Sequence, residues 1–259
     1  MSLAYSDSGQ GLPLVLLHGF CESKSLWNHF LPNLSQKFRV IAIDLPGFGE
    51  SKSVQLPEIA SMEWLAEQVK TLLDELRITH VVMIGHSLGG YVTLAFAKLF
   101  PDALLGLGLF HSTAFADTEE KQANRNKTIV YVENYGVEAF IRPFVGNLFW
   151  HTNRERCKSA IELLLNDGLN TPQQSIVSVQ KGMRDRADSA ELIAEIDIPI
   201  LIIAGKNDGS VNFADSLKMS GLPKYCTAHF MHFTGHAGMF EREKETLKYV
   251  SDFCEGILG

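Results

Sequence analysis

Cysteine is scarce in this sequence, with four in 259 residues, and Cys21, Cys157, Cys226 and Cys254 are scattered without a C-x-x-C pair or a Cys/His cluster. That spacing excludes a disulfide framework and a zinc-binding motif, and it leaves reduced, structural thiols. Long apolar runs are also missing, so no stretch is expected to cross a bilayer and no membrane association is expected. Met1 to Gly9 show neither a basic nor an apolar leader segment, which predicts a cytoplasmic protein. Without a secretion signal, the sequons at Asn33 and Asn126 do not imply glycosylation. Positive charge is in deficit: 23 Lys and Arg face 30 Asp and Glu, a formal net charge of -7. Such a chain offers no basic field for a phosphate backbone, so nucleic acid is not an expected partner. Internal repeats and low-complexity segments are absent too.

What is present is an ordinary globular composition, 46% hydrophobic and 20% charged, with enough length for a large core. Leu12 to Leu17 and Arg39 to Ile43 read as buried parallel strands. Between them, Ser23 to Phe38 predicts a helix with Leu26, Trp27, Phe30, Leu31 and Leu34 on one face. Ser61 is placed to cap a second helix that runs to Leu76 and turns Trp64, Leu65, Val69, Leu72 and Leu73 inward. A strand at His80 to Ile84, a helix ending before Pro101 and a strand at Leu104 to Phe110 follow. Strands alternating with helices predict an α/β chain with a doubly wound, mostly parallel sheet.

The alternation breaks from Ser112 to about Asp197. Asp117 to Glu120 open a helix that Gly136 can end, Arg154 to Asn166 make a second, and Thr171-Pro172 start a third. An inserted helical cap over residues 112–197 is the expectation, with residues 1–111 and 198–259 as the core. The rhythm then resumes with Ile198 to Ala204, Tyr225 to Phe233 and a terminal helix from Glu241 to about Glu255.

Chemistry enters at Gly85-His86-Ser87-Leu88-Gly89-Gly90, directly after the apolar run Val81 to Ile84. Three fixed letters, G-x-S-x-G, also describe an ordinary Gly/Ser turn, but a strand before it and the apolar helix pattern of Gly90 to Phe100 after it supply the context of a nucleophile elbow. Glycine at 85 and 89 lets strand and helix cross closely, and the strain at Ser87 amounts to roughly 1–3 kcal/mol. A serine hydroxyl needs a base, and the base needs an acid that fixes its tautomer. In a parallel sheet both should follow late strands, in the chain order Ser, acid, His. Asp208, within Gly205-Lys206-Asn207-Asp208-Gly209, and His236, within Gly235-His236-Ala237, satisfy that order. Asn-Asp-Gly is also a plain turn signal. His229 and His232 compete as bases but belong to the strand, and His86 reads as a structural contact under the elbow. An oxyanion hole requires two backbone N–H groups: Leu88 supplies one by position, and Phe20, after His18-Gly19, is the choice for the other, with Cys21 the neighbouring alternative.

At this point the chain resembles the α/β-hydrolase superfamily over nearly its whole length. His18-Gly19-Phe20, Asp44 to Ser51, Gly85 to Gly90, Gly205 to Asp208 and Gly235 to Ala237 are similar to its successive signatures. The resemblance implies an α/β-hydrolase fold, Ser87 as nucleophile, Asp208 as acid, His236 as base and Phe20 with Leu88 as oxyanion donors. The Asp44 to Ser51 segment resembles a structural loop of the family and stays outside the catalytic set. The short amino terminus departs from the pattern, leaving little room for the usual first strand or two.

Further departures narrow the activity. Serine at 87 differs from the aspartate of the superfamily's dehalogenases and epoxide hydrolases, and Gly19-Phe20-Cys21-Glu22 lacks the extended glycine run of its carbon-carbon bond hydrolases. Tyr91 stands where a menaquinone-pathway relative carries arginine, and Leu88 where proline iminopeptidases carry tryptophan. Hydrolysis of a small ester or thioester through an acyl-enzyme is the reading that is left, with no metal and no organic cofactor. Cofactor-free haloperoxidases share the triad, so that side activity stays open. So does the competing class, a small-molecule receptor on the same fold. Phe140, Phe144, Phe149 and Trp150 are candidates to line an acyl pocket, or to form the core of the cap. Arg142 and Arg154 are candidates to hold a substrate carboxylate, or solvated charges.

Overall fold

The computed structural model describes residues 3–257; the terminal residues 1, 2, 258 and 259 of the two expected core segments lie outside it. Near-continuous apolar segments form the strands: β1 (Tyr5–Ser8), β2 (Pro13–Leu17), β3 (Arg39–Ile43), β4 (Val81–His86), β5 (Leu104–Phe110), β6 (Ile200–Gly205) and β7 (Cys226–Met231). They make one sheet in the order β1-β3-β2-β4-β5-β6-β7, parallel except for the β1–β3 pair. Every residue of β4 and β6 is buried, as strands covered on both faces require. The four residues of β1 suffice for an antiparallel edge strand, from Tyr5 opposite Ile43 to Ser8 opposite Val40. A first strand therefore exists despite the short amino terminus.

From β2 the chain goes outward to β3, then crosses back to lay β4 on the other side of β2. That reversal opens a crevice beyond the carboxyl ends of β2 and β4, where ligands bind in open α/β sheets. Parallel register brings Leu17 beside Gly85 and His86 beside Phe110, so the loops after β2, β4 and β5 share one edge.

Three expectations for helices meet a correction. Ser23 to Phe38 is not one helix but a 3₁₀ turn at Lys24–Trp27 followed by α1 (Leu31–Leu34). Pro32 has no N–H for a helix interior and is accepted only in the first turn of α1. Most of the expected apolar face survives: Leu26, Trp27, Phe30 and Leu34 are fully buried, and Leu31 is partly buried. Ser61 caps α2 (Met62–Glu75) by accepting the Trp64 N–H at 3.1 Å, and α3 (Leu88–Leu99) follows the elbow.

Between β5 and β6 lie α4 (Glu119–Leu148), α5 (Lys158–Leu169), α6 (Gln173–Asp185) and α7 (Ala190–Glu195), with no strand among the described residues. Thr118 caps α4, and Gly136, at φ 82° and ψ 174°, breaks it into two limbs. The stop expected at Gly136 is thus a kink from which the helix resumes. The Arg154 helix begins later, at Lys158, after a 3₁₀ turn at His151–Asn153. Beyond β6, α8 (Phe213–Ser220) is an addition, capped by the Asn212 side chain on the Ala214 N–H. The chain closes with α9 (Gly238–Glu241) and α10 (Glu243–Ile257).

Candidate active site

Steric necessity shapes the turn after β4. A Cβ on Gly85 would lie 2.1 Å from the Gly89 carbonyl carbon, and one on Gly89 would lie 2.6 Å from the Leu17 carbonyl oxygen. Ser87 takes φ 50° and ψ -112°, a strained conformation that its neighbours hold in place. Its N–H donates to the Phe110 carbonyl at 3.0 Å, and Ser112 Oγ donates to its carbonyl at 2.8 Å. The hydroxyl opens on a cavity of about 710 Å³ that Phe20 and His236 also line. No protein acceptor takes the N–H of Phe20 or Leu88 among the described residues.

Asp208 follows β6 by three residues and is held from four directions. Oδ1 accepts the N–H groups of Ser210 and Val211 at 2.8 and 3.0 Å, which is the expected turn geometry. Oδ2 accepts His236 Nδ1 at 2.8 Å and His111 Nδ1 at 3.0 Å. Burial raises the pKa of this carboxyl, but His236 and the His111 hydrogen bond outweigh it and hold the group well below the usual carboxylate range. His236 is buried, which lowers its pKa, yet the nearby Asp208 charge dominates and raises it above the ordinary value. With the hydrogen of Nδ1 on Asp208, Nε2 is left as an acceptor. The His236 backbone is fixed by its N–H on the Leu148 carbonyl at 2.7 Å, which ties the loop after β7 to the end of α4. A serine hydroxyl, an imidazole with a free acceptor nitrogen and a buried carboxylate behind it can together support nucleophilic attack on an acyl carbon.

Sequence reasoning missed two members of this cluster. His111 directly follows β5 at φ 48°, fully buried, and burial pushes its imidazole down to about 4 against the pull of Asp208. An ionised carboxylate 3.0 Å away requires a hydrogen on His111 Nδ1, so the Gly205 N–H, 3.3 Å from that nitrogen, is only a contact. Its position after a strand on the functional edge was the available signal. Glu22 is the second, only 3% exposed; one of its oxygens accepts the Gly19 N–H at 2.6 Å and His86 Nδ1 at 2.9 Å. A carboxylate within an apolar loop was its signal. His86 does lie under the elbow as a packed contact, with Nε2 3.0 Å from the His236 carbonyl oxygen.

The competing groups sit elsewhere. His229 stacks on Tyr249 with centroids 3.6 Å apart, and His232 faces Lys206 Nζ at 2.8 Å. The Asp44 carboxylate holds the Lys24 and Glu50 N–H groups, at 2.6 and 2.9 Å, and the Lys24 ammonium. The Cys21 thiol is pushed up well above its ordinary value by burial and then by Glu22, which leaves it protonated. His111, Asp208 and His236 bring three potential metal-ligand atoms within 4.8 Å of one another. Both imidazoles turn an N–H toward Asp208, so the cluster as arranged presents hydrogens rather than lone pairs to a cation.

Of the four aromatic residues expected over Ser87, Phe140 and Phe144 line the cavity, stacked at 5.1 Å, with Phe144 edge-on to Phe20 at 6.1 Å. Phe149 and Trp150 do not. Phe149 is 2% exposed and stacks on Phe240, while the Trp150 backbone N–H donates to Glu241 at 3.1 Å and its ring rests on His151. The Leu148 hydrogen bonds anchor this end of α4 to the core, which turns both residues away. Arg142 pairs with Glu138 and Arg154 reaches Phe149 O and Asn147; the guanidinium lining the cavity is Arg125, paired with Asp117.

Fold and site together describe a hydrolase-type α/β protein. The sequence matches the family described as alpha/beta hydrolase fold over residues 13–240, and the chain belongs to that family. Its relatives include the dihydrolipoyllysine-residue acetyltransferase component of the acetoin cleaving system of Pseudomonas putida, 30% identical over 211 residues, 78% of this chain. The match covers 53% of that protein, so this chain spans about half its length. The 2-hydroxy-6-oxo-2,4-heptadienoate hydrolase of Pseudomonas putida is 27% identical over 266 residues, covering 95% of this chain and 90% of that one. Among solved structures, a thermophilic esterase from Thermogutta terrifontis, described as malate bound, superposes with a TM-score of 0.92 at 28% identity, over 98% of this chain and 93% of that one. No described helix is long and apolar enough to cross a membrane.

Proposed function

We propose that this chain is a serine hydrolase that cleaves a small carboxylic ester or thioester through an acyl-enzyme. The observation that carries this reading is the 2.8 Å contact from His236 Nδ1 to Asp208, with His236 and Ser87 opening on one cavity. Ser87 Oγ attacks the acyl carbon while His236 Nε2 takes its proton, and Asp208 stabilises the imidazolium that forms. The N–H groups of Phe20 and Leu88 bind the oxygen that becomes negative, each contributing on the order of 3 kcal/mol in the transition state. Collapse breaks the bond to the leaving group, which receives the proton from His236. Water, deprotonated by His236, then attacks the acyl-serine; the bond from the acyl carbon to Ser87 Oγ breaks, His236 returns the proton to Oγ, and the acid is released. We take residues 112–197 as the cap that shapes the acyl site, with Phe140 and Phe144 as its apolar wall. The free thiols fit a reducing compartment, in keeping with a cytoplasmic site of action.

The test is hydrolysis of p-nitrophenyl butanoate and butanoyl thioesters, together with labelling by a fluorophosphonate probe. Ser87→Ala should lose activity by at least about 10³-fold and all labelling, and His236→Ala should label far more slowly. An inert wild type across the panel, or a Ser87→Ala variant with full activity, overturns the reading. A ligand that stabilises the protein strongly but is processed only once would point instead to a receptor.

A further inference from the structure

Three loops that are remote in sequence meet under the elbow through two side chains. The loop after β2 contributes Gly19 and Glu22, the elbow contributes His86, and the loop after β7 contributes the His236 carbonyl. Glu22 Oε2 accepts the Gly19 N–H at 2.6 Å and faces His86 Nδ1 at 2.9 Å, while His86 Nε2 lies 3.0 Å from the His236 carbonyl oxygen. The contacts span 64 and 150 residues of sequence. Glu22 and His86 are 3% and 1% exposed, so water does not compete for any of these bonds.

Hydrogen-bond accounting constrains the pair. A backbone carbonyl only accepts, so His86 Nε2 must donate to His236. Glu22 already accepts from Gly19, and burial, which raises its pKa, is outweighed by His86 and the Gly19 N–H, so the carboxyl sits below its ordinary value. Glu22 Oε2 has its second contact with His86 Nδ1, so each ring nitrogen of His86 faces an oxygen and neither end of the ring is left without a partner.

We propose that Glu22 and His86 are positioning residues that hold the oxyanion loop, the nucleophile and the base in mutual register. The inference rests on the assignment of Ser87, His236 and Phe20 given above. Gly19 precedes Phe20, His86 precedes Ser87, and the carbonyl accepting from His86 belongs to His236 itself. One dyad thus touches the backbone or the adjacent residue of each reacting group without meeting substrate. A displacement of about 1 Å between such groups can lower turnover by about 100-fold.

Two conservative variants separate geometry from charge. Glu22→Asp keeps the carboxylate but withdraws it by one methylene, which breaks the link to Gly19 or to His86. Glu22→Gln removes the charge and keeps both links, since its carbonyl oxygen in the place of Oε2 accepts from Gly19 and faces His86 Nδ1 as before. Rates on p-nitrophenyl butanoate are measured per active site titrated with a fluorophosphonate, well below the melting temperature of each variant. Glu22→Asp should show kcat reduced about 100-fold with KM changed less than about threefold, and Glu22→Gln should stay within about tenfold of wild type. Wild-type kcat per titrated site in Glu22→Asp, or an equal loss in both variants, overturns the inference while leaving the serine-hydrolase reading intact. A wild type that neither turns over nor labels at Ser87 overturns both.

Discussion

His111 Nδ1 lies 3.0 Å from the same Asp208 oxygen that His236 Nδ1 reaches at 2.8 Å, so one carboxylate oxygen serves two buried histidines. The donor from His111 draws charge from Asp208 and weakens its hold on the His236 proton. Replacing it with His111→Phe should strengthen that hold and raise the pKa of His236. Because the proposed base, His236, works only when neutral, the acid limb of kcat/KM should move to higher pH, starting from a wild-type limb expected above the ordinary imidazole value of about 6.5. His111→Asn, which returns an N–H donor and tolerates the positive φ, should restore the profile. Identical pH profiles for wild type and His111→Phe would remove His111 from the machinery.

Tyr91 and Thr113 form a wall between two cavities, the one of about 710 Å³ at Ser87 and a second of about 250 Å³ lined by Met62, Leu94 and Leu192. The Arg186 guanidinium covers the Tyr91 ring at 4.0 Å and is itself anchored on Asp117 and the Phe115 carbonyl, at 2.7 and 2.9 Å. Tyr91→Ala should join the cavities and admit longer acyl chains. The ratio of kcat/KM on p-nitrophenyl octanoate to that on butanoate should rise at least about tenfold, the scale of one or two newly buried methylenes. An unchanged ratio would show that the wall does not limit chain length.

Backbone geometry at the elbow predicts opposite effects at neighbouring positions. Gly89→Ala drives a Cβ to 2.6 Å from the Leu17 carbonyl oxygen and 2.7 Å from that of His18, and should lower stability by about 3 kcal/mol or more. Ser87→Gly relieves the strain at φ 50° and should melt at a higher temperature than Ser87→Ala while remaining inactive, with about 1–3 kcal/mol to recover. Urea titrations of the three variants check both signs; a Gly89→Ala protein as stable as wild type would contradict the close packing of β2 against α3.

Local rules made the strands from β2 onward, the elbow and the capped helices legible in the sequence, but not the edge strand β1. Apolar runs need a sheet covered on both faces, G-x-S-x-G needs its glycines where strand meets helix, and Ser61 and Thr118 cap through a hydrogen bond only three residues long. The order proposed for Ser87, Asp208 and His236 was readable because a parallel sheet sends every strand's carboxyl end to one edge. Pro32 within an otherwise helical face was a local signal too, and it marks where that expected helix divides.

Long-range packing decided the rest. Whether Phe140 or Trp150 faces Ser87 depends on the kink at Gly136 and on the anchoring of Leu148 by the loop after β7, and no periodicity encodes that. Glu22, His86 and His111 stand in the sequence as an acid and two histidines with no common motif. Their hydrogen bonds form only when β2, β4, β5 and β7 lie in one sheet, because a buried donor or acceptor must find its partner wherever the fold has placed one. The sequence by itself determined which atoms we propose to react; the tertiary structure determined which side chains lie against them.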